Sequence, residues 1–170
     1  LRPMLERLEA DVLCLQEVNG QHVPGVPERR LVALDELLDG TRYAGFHRVS
    51  TTGPGGAGVA DVHNLVILSR LPILAHREIR HERVAPLIHI PITAEGGHEP
   101  GHVRFDRPLL LACIDVGRGR VLHVVDCHLR APIASAVPGQ KTGPFSWKSI
   151  GGWAEGYYLS SVKRSGQALE

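Results

Sequence analysis

"ADVLCLQEV", residues 10–18, decides how this chain is read. Val12, Leu13, Cys14 and Leu15 form a run that belongs in an interior. In an extended chain Leu13 and Leu15 share one face, Val12 and Cys14 the other. A strand apolar on both faces is one covered on both sides. Yet the run ends in Gln16 and Glu17. A second stretch behaves the same way. In "GRVLHVVDCHLRAP", residues 119–132, the apolar Val121, Leu122, Val124 and Val125 are followed by Asp126, Cys127 and His128. In layered α/β folds the C-terminal edge of the sheet is where sites are built. Two such strand ends predict an α/β domain with a polar edge.

The rest of the chain is organised around these two strands. Residues 1–10 read as a helix with Leu1, Leu5 and Leu8 on one stripe and Pro3 in its first turn. Pro27 opens a second helix and Gly40 closes it, with Leu31, Leu34 and Leu38 inward. Residues 42–49, 63–69 and 73–80 read as strands, and 84–93 hold a short extended piece. Residues 107–116 and 120–129, joined by Gly117, Arg118 and Gly119, predict a hairpin. "TTGPGGAG", 51–58, reads as a mobile loop; its glycines lack the Lys-Ser/Thr ending of a phosphate-binding loop. "EGGHEPG", 95–101, is another loop. The Pro- and Gly-containing stretch from Arg130 is too long for a plain connector. From about residue 152 the chain turns helical, with Tyr158, Val162 and Leu169 near one face.

A chain of 170 residues suits one domain with a sizeable core. Hydrophobic residues make up 43% and charged residues 22%, an ordinary globular composition. The formal net charge of +1 neither marks a nucleic-acid partner nor excludes a local basic patch. No apolar run approaches the roughly 18 residues of a membrane span. The chain begins with Leu1, so export is not legible. Cys14, Cys113 and Cys127 are odd in number, lack CxxC spacing and sit in apolar stretches. They read as buried reduced thiols, and the absence of disulfide spacing leans towards the cytoplasm.

Glu17 suits a hard cation. Mg²⁺ prefers oxygen ligands and commonly takes one or two protein carboxylates, keeping waters or substrate oxygens for the rest. His128 suits proton transfer near neutral pH. Together they point to metal-assisted hydrolysis of a phosphate ester. Each has a plainer reading, a paired or solvated carboxylate and a structural histidine. His63, His76, His81, His89, His98, His102 and His123 have no partner at metal-ligand spacing.

The order of the motifs adds to this. "ADVLCLQEV" (10–18), "NLVILSRLPI" (64–73) and "HVVDCHLRAP" (123–132) together resemble the endonuclease/exonuclease/phosphatase superfamily, the deoxyribonuclease-like fold. In that family a D-x-x-x-L-Q-E strand carries the glutamate that binds the divalent metal, which falls on Glu17. Ile67, Leu68, Ser69, Arg70, Pro72 and Ile73 match a family landmark. A T-H-L-like tripeptide carries an active-site histidine, here His128 between Cys127 and Leu129, with Cys in place of the usual small polar residue. "KRSGQALE", 163–170, resembles the helix that follows. The resemblance implies a four-layer α/β sandwich, two mixed β-sheets face to face with helices outside, and a site at one end. It also implies a Mg²⁺- or Mn²⁺-dependent phosphodiesterase or nuclease acting by in-line attack of water.

The family's first-strand Asn, its G-D-x-N strand end and its S-D-H element are not in these 170 residues. The expectation is therefore one partial domain, lacking the first strand and the C-terminal third, inactive alone and exposing apolar sheet surface. Asn64, Arg107 and Arg130 are further substrate-binding candidates. The loop with Lys141, Phe145, Trp147 and Lys148 suits either nucleic acid or a lid packed on its own domain. Two competing readings stand beside the leading one: a phosphomonoesterase or lipid phosphodiesterase on the same fold, and a non-catalytic binding module. With one metal and one phosphate between them, Glu17 and His128 should stand roughly 5–10 Å apart.

Overall fold

The computed structural model describes residues 1–53 and 55–170. In chain order its elements are α1 (Arg2–Leu8), β1 (Val12–Val18), β2 (Gln21–Val23), β3 (Val26–Arg30), α2 (Val32–Leu38), β4 (His47–Ser50), β5 (Asn64–Ser69), β6 (Ile73–Ile79), β7 (Leu87–His89), β8 (Gly101–Val103), β9 (Leu109–Asp115), β10 (Val121–Asp126) and α3 (Ile150–Leu169). This is a mixed α/β fold. The residues divide into two compact units, one of 1–79 and 108–128, the other of 80–107 and 129–170. Every strand pairing among the described residues is antiparallel, where mixed sheets were expected.

The first unit is built on two three-stranded sheets, ordered β1-β5-β4 and β10-β9-β6. β5 is central, and all six of its residues are buried, the apolar Leu65, Val66, Ile67 and Leu68 together with the polar Asn64 and Ser69 at its ends. Leu65 and Ile67 pack against Leu110, Ala112 and Ile114 of β9, so the two sheets share one core. On the other face, Val66 and Leu68 join Leu13, Tyr43 and the α2 residues Leu34 and Leu38. Helix, sheet and sheet thus form three layers around β5. Each fully buried aliphatic side chain here contributes roughly 1.5–3 kcal/mol. The outward side chains of β10, Val121, His123 and Val125, remain exposed.

Some local expectations hold and others do not. The β9–β10 hairpin forms, with Gly117, Arg118 and Gly119 all at positive φ. The helix expected from Pro27 begins only at Val32. Residues 21–30 instead form a β2–β3 hairpin. The reason is Gly25, at φ 78, which lets the chain reverse after Pro24 and carries Pro27 into a strand. Leu31, Leu34 and Leu38 are buried as expected. The strand expected over 42–49 is only His47–Ser50, because the preceding turn serves Tyr43. That buried ring donates from its hydroxyl to the Leu5 carbonyl (3.0 Å) and accepts from the Ala10 N–H (3.2 Å). Helix α1 buries no residue, and Leu1 and Leu8 are exposed. Cys14 is exposed and Cys113 and Cys127 half-buried, a correction to the expectation of three buried thiols. β1 lies at a sheet edge, which leaves Cys14 uncovered on one side. Pro54, in the loop read as mobile, lies outside the described residues.

The second unit is organised by α3. Ser149 caps it, accepting from the Gly152 N–H at 3.0 Å. Its buried face consists of Gly152, Glu155, Gly156, Ser160, Gly166 and Gln167, not the expected Tyr158, Val162 and Leu169. Small residues are needed because backbone packs directly on the helix. A Cβ at Gly156 would lie 2.3 Å from the Ser135 carbonyl, whose own N–H bonds to the Gly156 carbonyl at 2.8 Å. Glu155 clamps residues 89–93. Its carboxylate accepts from His89 (2.7 Å), the Ile92 N–H (2.7 Å), the Thr93 N–H (2.8 Å) and the Thr93 hydroxyl. Among the described residues no helix is long and apolar enough to cross a membrane.

Candidate functional site

Glu17 is placed by a β-bulge. Along β1 and β5, Leu15 stands opposite Val66 and Val18 opposite Asn64. Three steps on one strand therefore face two on the other, and Gln16–Glu17 carries the extra residue. Glu17 takes φ 59, a left-handed conformation rare for a side chain of this kind. The bulge turns the carboxylate out of the strand's alternation and leaves its side chain half-exposed.

Two imidazoles grip that carboxylate. His128, just past the end of β10, brings Nδ1 to 3.0 Å from Oε1. His63, just before β5, brings Nδ1 to 2.5 Å from Oε2. Carboxylate oxygens accept, so each Nδ1 donates. The two predicted residues are brought together, but in direct contact and not across the expected 5–10 Å. His63 was missed. It lies 46 residues from Glu17, and a strand-leading histidine carries no sequence signal of such a partner. It too is left-handed, at φ 63.

Behind this trio the two strand ends are laced together. Gln16 Nε2 donates to Asp126 Oδ1 and to the Cys127 carbonyl, both at 3.0 Å. Asp126 is buried, and its Oδ2 is a buried side-chain oxygen without a partner among the described residues. Burial pushes its pKa above 3.8, against the opposing pull of Gln16 and of His128. Sequence reading passed over Asp126 as an active participant. The signal was there: Leu122, Val124 and Asp126 alternate onto one face, and a carboxyl ends that apolar row.

Asn64 is 1% exposed, with its amide engaged by the chain itself. It donates to the carbonyls of Val18 (2.8 Å) and Ala60 (2.9 Å), and accepts from the Ala60 N–H (2.8 Å) and the Thr51 hydroxyl (3.3 Å). It supports the bulge from behind and presents no free polar atom to a substrate. Arg107 and Arg130 belong to the second unit. Arg130 donates to Asp106 at 2.8 Å, which also pairs with Lys163 at 2.6 Å. The Arg107 carbonyl accepts from Gln167 Nε2 at 3.1 Å. In the same unit Lys141 lies 5.6 Å over the Trp147 ring and Lys148 pairs with Glu95. The Trp147 ring packs on Gly156, while Phe145 is 90% exposed.

Among the described residues no three His, Cys, Asp or Glu side chains are arranged to hold a metal ion. A closed cage is therefore absent there. A hard cation that keeps water and substrate oxygens needs as little as one protein carboxylate. The Glu17 carboxylate, half-exposed at the end of β1, is a ligand of that kind. Gln16, Glu17, Val18 and Asn19 also line an open cleft of about 600 Å³ whose other wall includes Leu5, Leu34 and Leu37. A larger cleft of about 680 Å³ lies at the β2–β3 hairpin. Its Arg29 and Asp61 neutralise each other at 2.8 Å, so it has less to offer as a reactive centre. No protein-family model, curated protein or solved structure matches the chain.

Proposed function

We propose that this chain carries part of the active centre of a divalent-metal-dependent phosphoesterase, a phosphodiesterase or nuclease on the four-layer sandwich of the endonuclease/exonuclease/phosphatase superfamily. The observation that supports it is the 3.0 Å contact of Glu17 with His128, side chains delivered by the ends of strands from two different sheets. In this reading Glu17 anchors Mg²⁺ or Mn²⁺, which when bound draws charge from a phosphoryl oxygen. His128, beside Glu17, would donate to a phosphoryl oxygen or take the proton of the attacking water. Gln16 and Asp126 hold the two strand ends in register behind them.

The test is Mn²⁺ binding followed by electron paramagnetic resonance, with hydrolysis of bis(p-nitrophenyl) phosphate measured alongside. Glu17→Gln is expected to remove Mn²⁺ binding. His128→Ala should lower any hydrolysis by roughly a hundredfold or more. Parental Mn²⁺ binding in Glu17→Gln refutes the metal reading. Mn²⁺ bound by the unaltered chain and lost in Glu17→Gln supports the metal reading even where this partial domain hydrolyses no ester.

A further inference from the structure

We propose that His63 is a positioning residue for Glu17, holding the carboxylate in the one orientation in which it takes a divalent cation. The inference rests on Glu17 being the metal ligand. It starts from a pair of local irregularities. Glu17 sits at φ 59 in the bulge of β1 and His63 at φ 63 at the entrance to β5. Left-handed backbone at residues other than Gly is strained and persists where the surroundings enforce it. Here two such residues stand in side-chain contact, His63 Nδ1 to Glu17 Oε2 at 2.5 Å.

The surroundings that enforce them are visible. Asn64 ties the Val18 carbonyl to residue 60, fixing the chain on both sides of the pair. The Asn19 side-chain oxygen accepts from the His63 N–H at 3.4 Å. Burial does not account for the histidine, whose side chain is 42% exposed. Its ring makes no other contact of this kind among the described residues. A glutamate side chain has three rotatable bonds, and this one is half in solvent. A carboxylate held at a single oxygen still swings about that contact. Held at both, by His128 and His63, its plane is set. Hydrogen bonds of this sort, one step behind a metal ligand, typically change metal affinity 10- to 100-fold when removed. The plain alternative is an exposed pair of little energetic weight with no bearing on ligation.

Three substitutions at one position separate these readings, each measured by Mn²⁺ binding and by thermal unfolding without metal. His63→Ala removes the donor. His63→Gly removes it and also relaxes the left-handed backbone. His63→Asn keeps an amide nitrogen on Cγ, where Nδ1 stood, and tolerates the same backbone. The expected result is Mn²⁺ binding weakened about 10- to 100-fold in His63→Ala and His63→Gly, with most of the affinity regained in His63→Asn. His63→Gly should weaken binding even where it raises the melting temperature, which a purely structural role does not predict. Parental affinity in all three variants, alongside loss of binding in Glu17→Gln, overturns the positioning role and leaves the metal reading standing. Parental affinity in Glu17→Gln, or no Mn²⁺ binding by the unaltered chain, overturns both.

Discussion

Glu155→Gln should loosen the second unit and change how its stability responds to acid. The side chain is 6% exposed. Burial alone raises a carboxyl pKa, but donors from Thr93, His89 and the N–H groups of Ile92 and Thr93 outweigh it, bringing the value from 4.5 down to about 2. At about 1.4 kcal/mol per pH unit, that depression is worth about 3 kcal/mol of folding free energy. Hydrogen bonds to a charged acceptor, each contributing about 1.5–3 kcal/mol, reach that figure once the cost of burying the charge is subtracted. A glutamine offers one accepting oxygen in place of two and points an NH₂ group at other donors. Because the folded pKa lies below the unfolded one, the contribution is complete above about pH 4.5 and is lost as pH falls towards 2. The chain's two tryptophans, Trp147 and Trp153, both belong to the second unit. Urea unfolding followed by tryptophan fluorescence therefore reports on it directly. The parent should lose stability steeply between pH 5 and pH 2.5, while the variant starts lower and changes less. Equal midpoints and equal acid sensitivity in the two proteins refute the clamp.

Two further substitutions probe the fold around the site and the α3 packing. Asp126→Asn keeps an oxygen for Gln16 and removes a charge whose pKa burial has raised above 3.8. It should raise stability at pH 7, and the gain should vanish below pH 3.8, where the parent carboxyl is protonated in both states; circular dichroism at the two pH values tests this, and a gap that persists in acid is the contrary result. Gly156→Ala places a Cβ 2.3 Å from the Ser135 carbonyl, a backbone atom that cannot swing aside. Overpacking of this kind costs about 1–3 kcal/mol, so the fluorescence midpoint should fall, and an unchanged midpoint contradicts the packing described.

β1, β5, β9 and β10 were legible because their signals are local. An apolar run marks a strand, and two such runs around Gly117, Arg118 and Gly119 mark a hairpin; the cover those runs implied is found on β5 and β9 but not on β10, whose Val121, Leu122 and Val125 are exposed, nor on both faces of β1. The presence of Glu17 and His128 at strand ends was legible for the same reason. Local signals also misled. Pro27 suits the first turn of a helix, but Gly25 reverses the chain just before it, and the residues that follow pair with β2. On α3 the large side chains suggested the inward face, whereas direct backbone packing selected the small ones. Only the tertiary structure decided the site. The bulge that turns Glu17 outward exists relative to β5, and its contact with His63 spans 46 residues. Asp126 becomes a partner of Gln16 across 110 residues. Hydrophobic periodicity records which face of an element is covered. It does not record which distant strand arrives opposite, and that is set by how two sheets share one core.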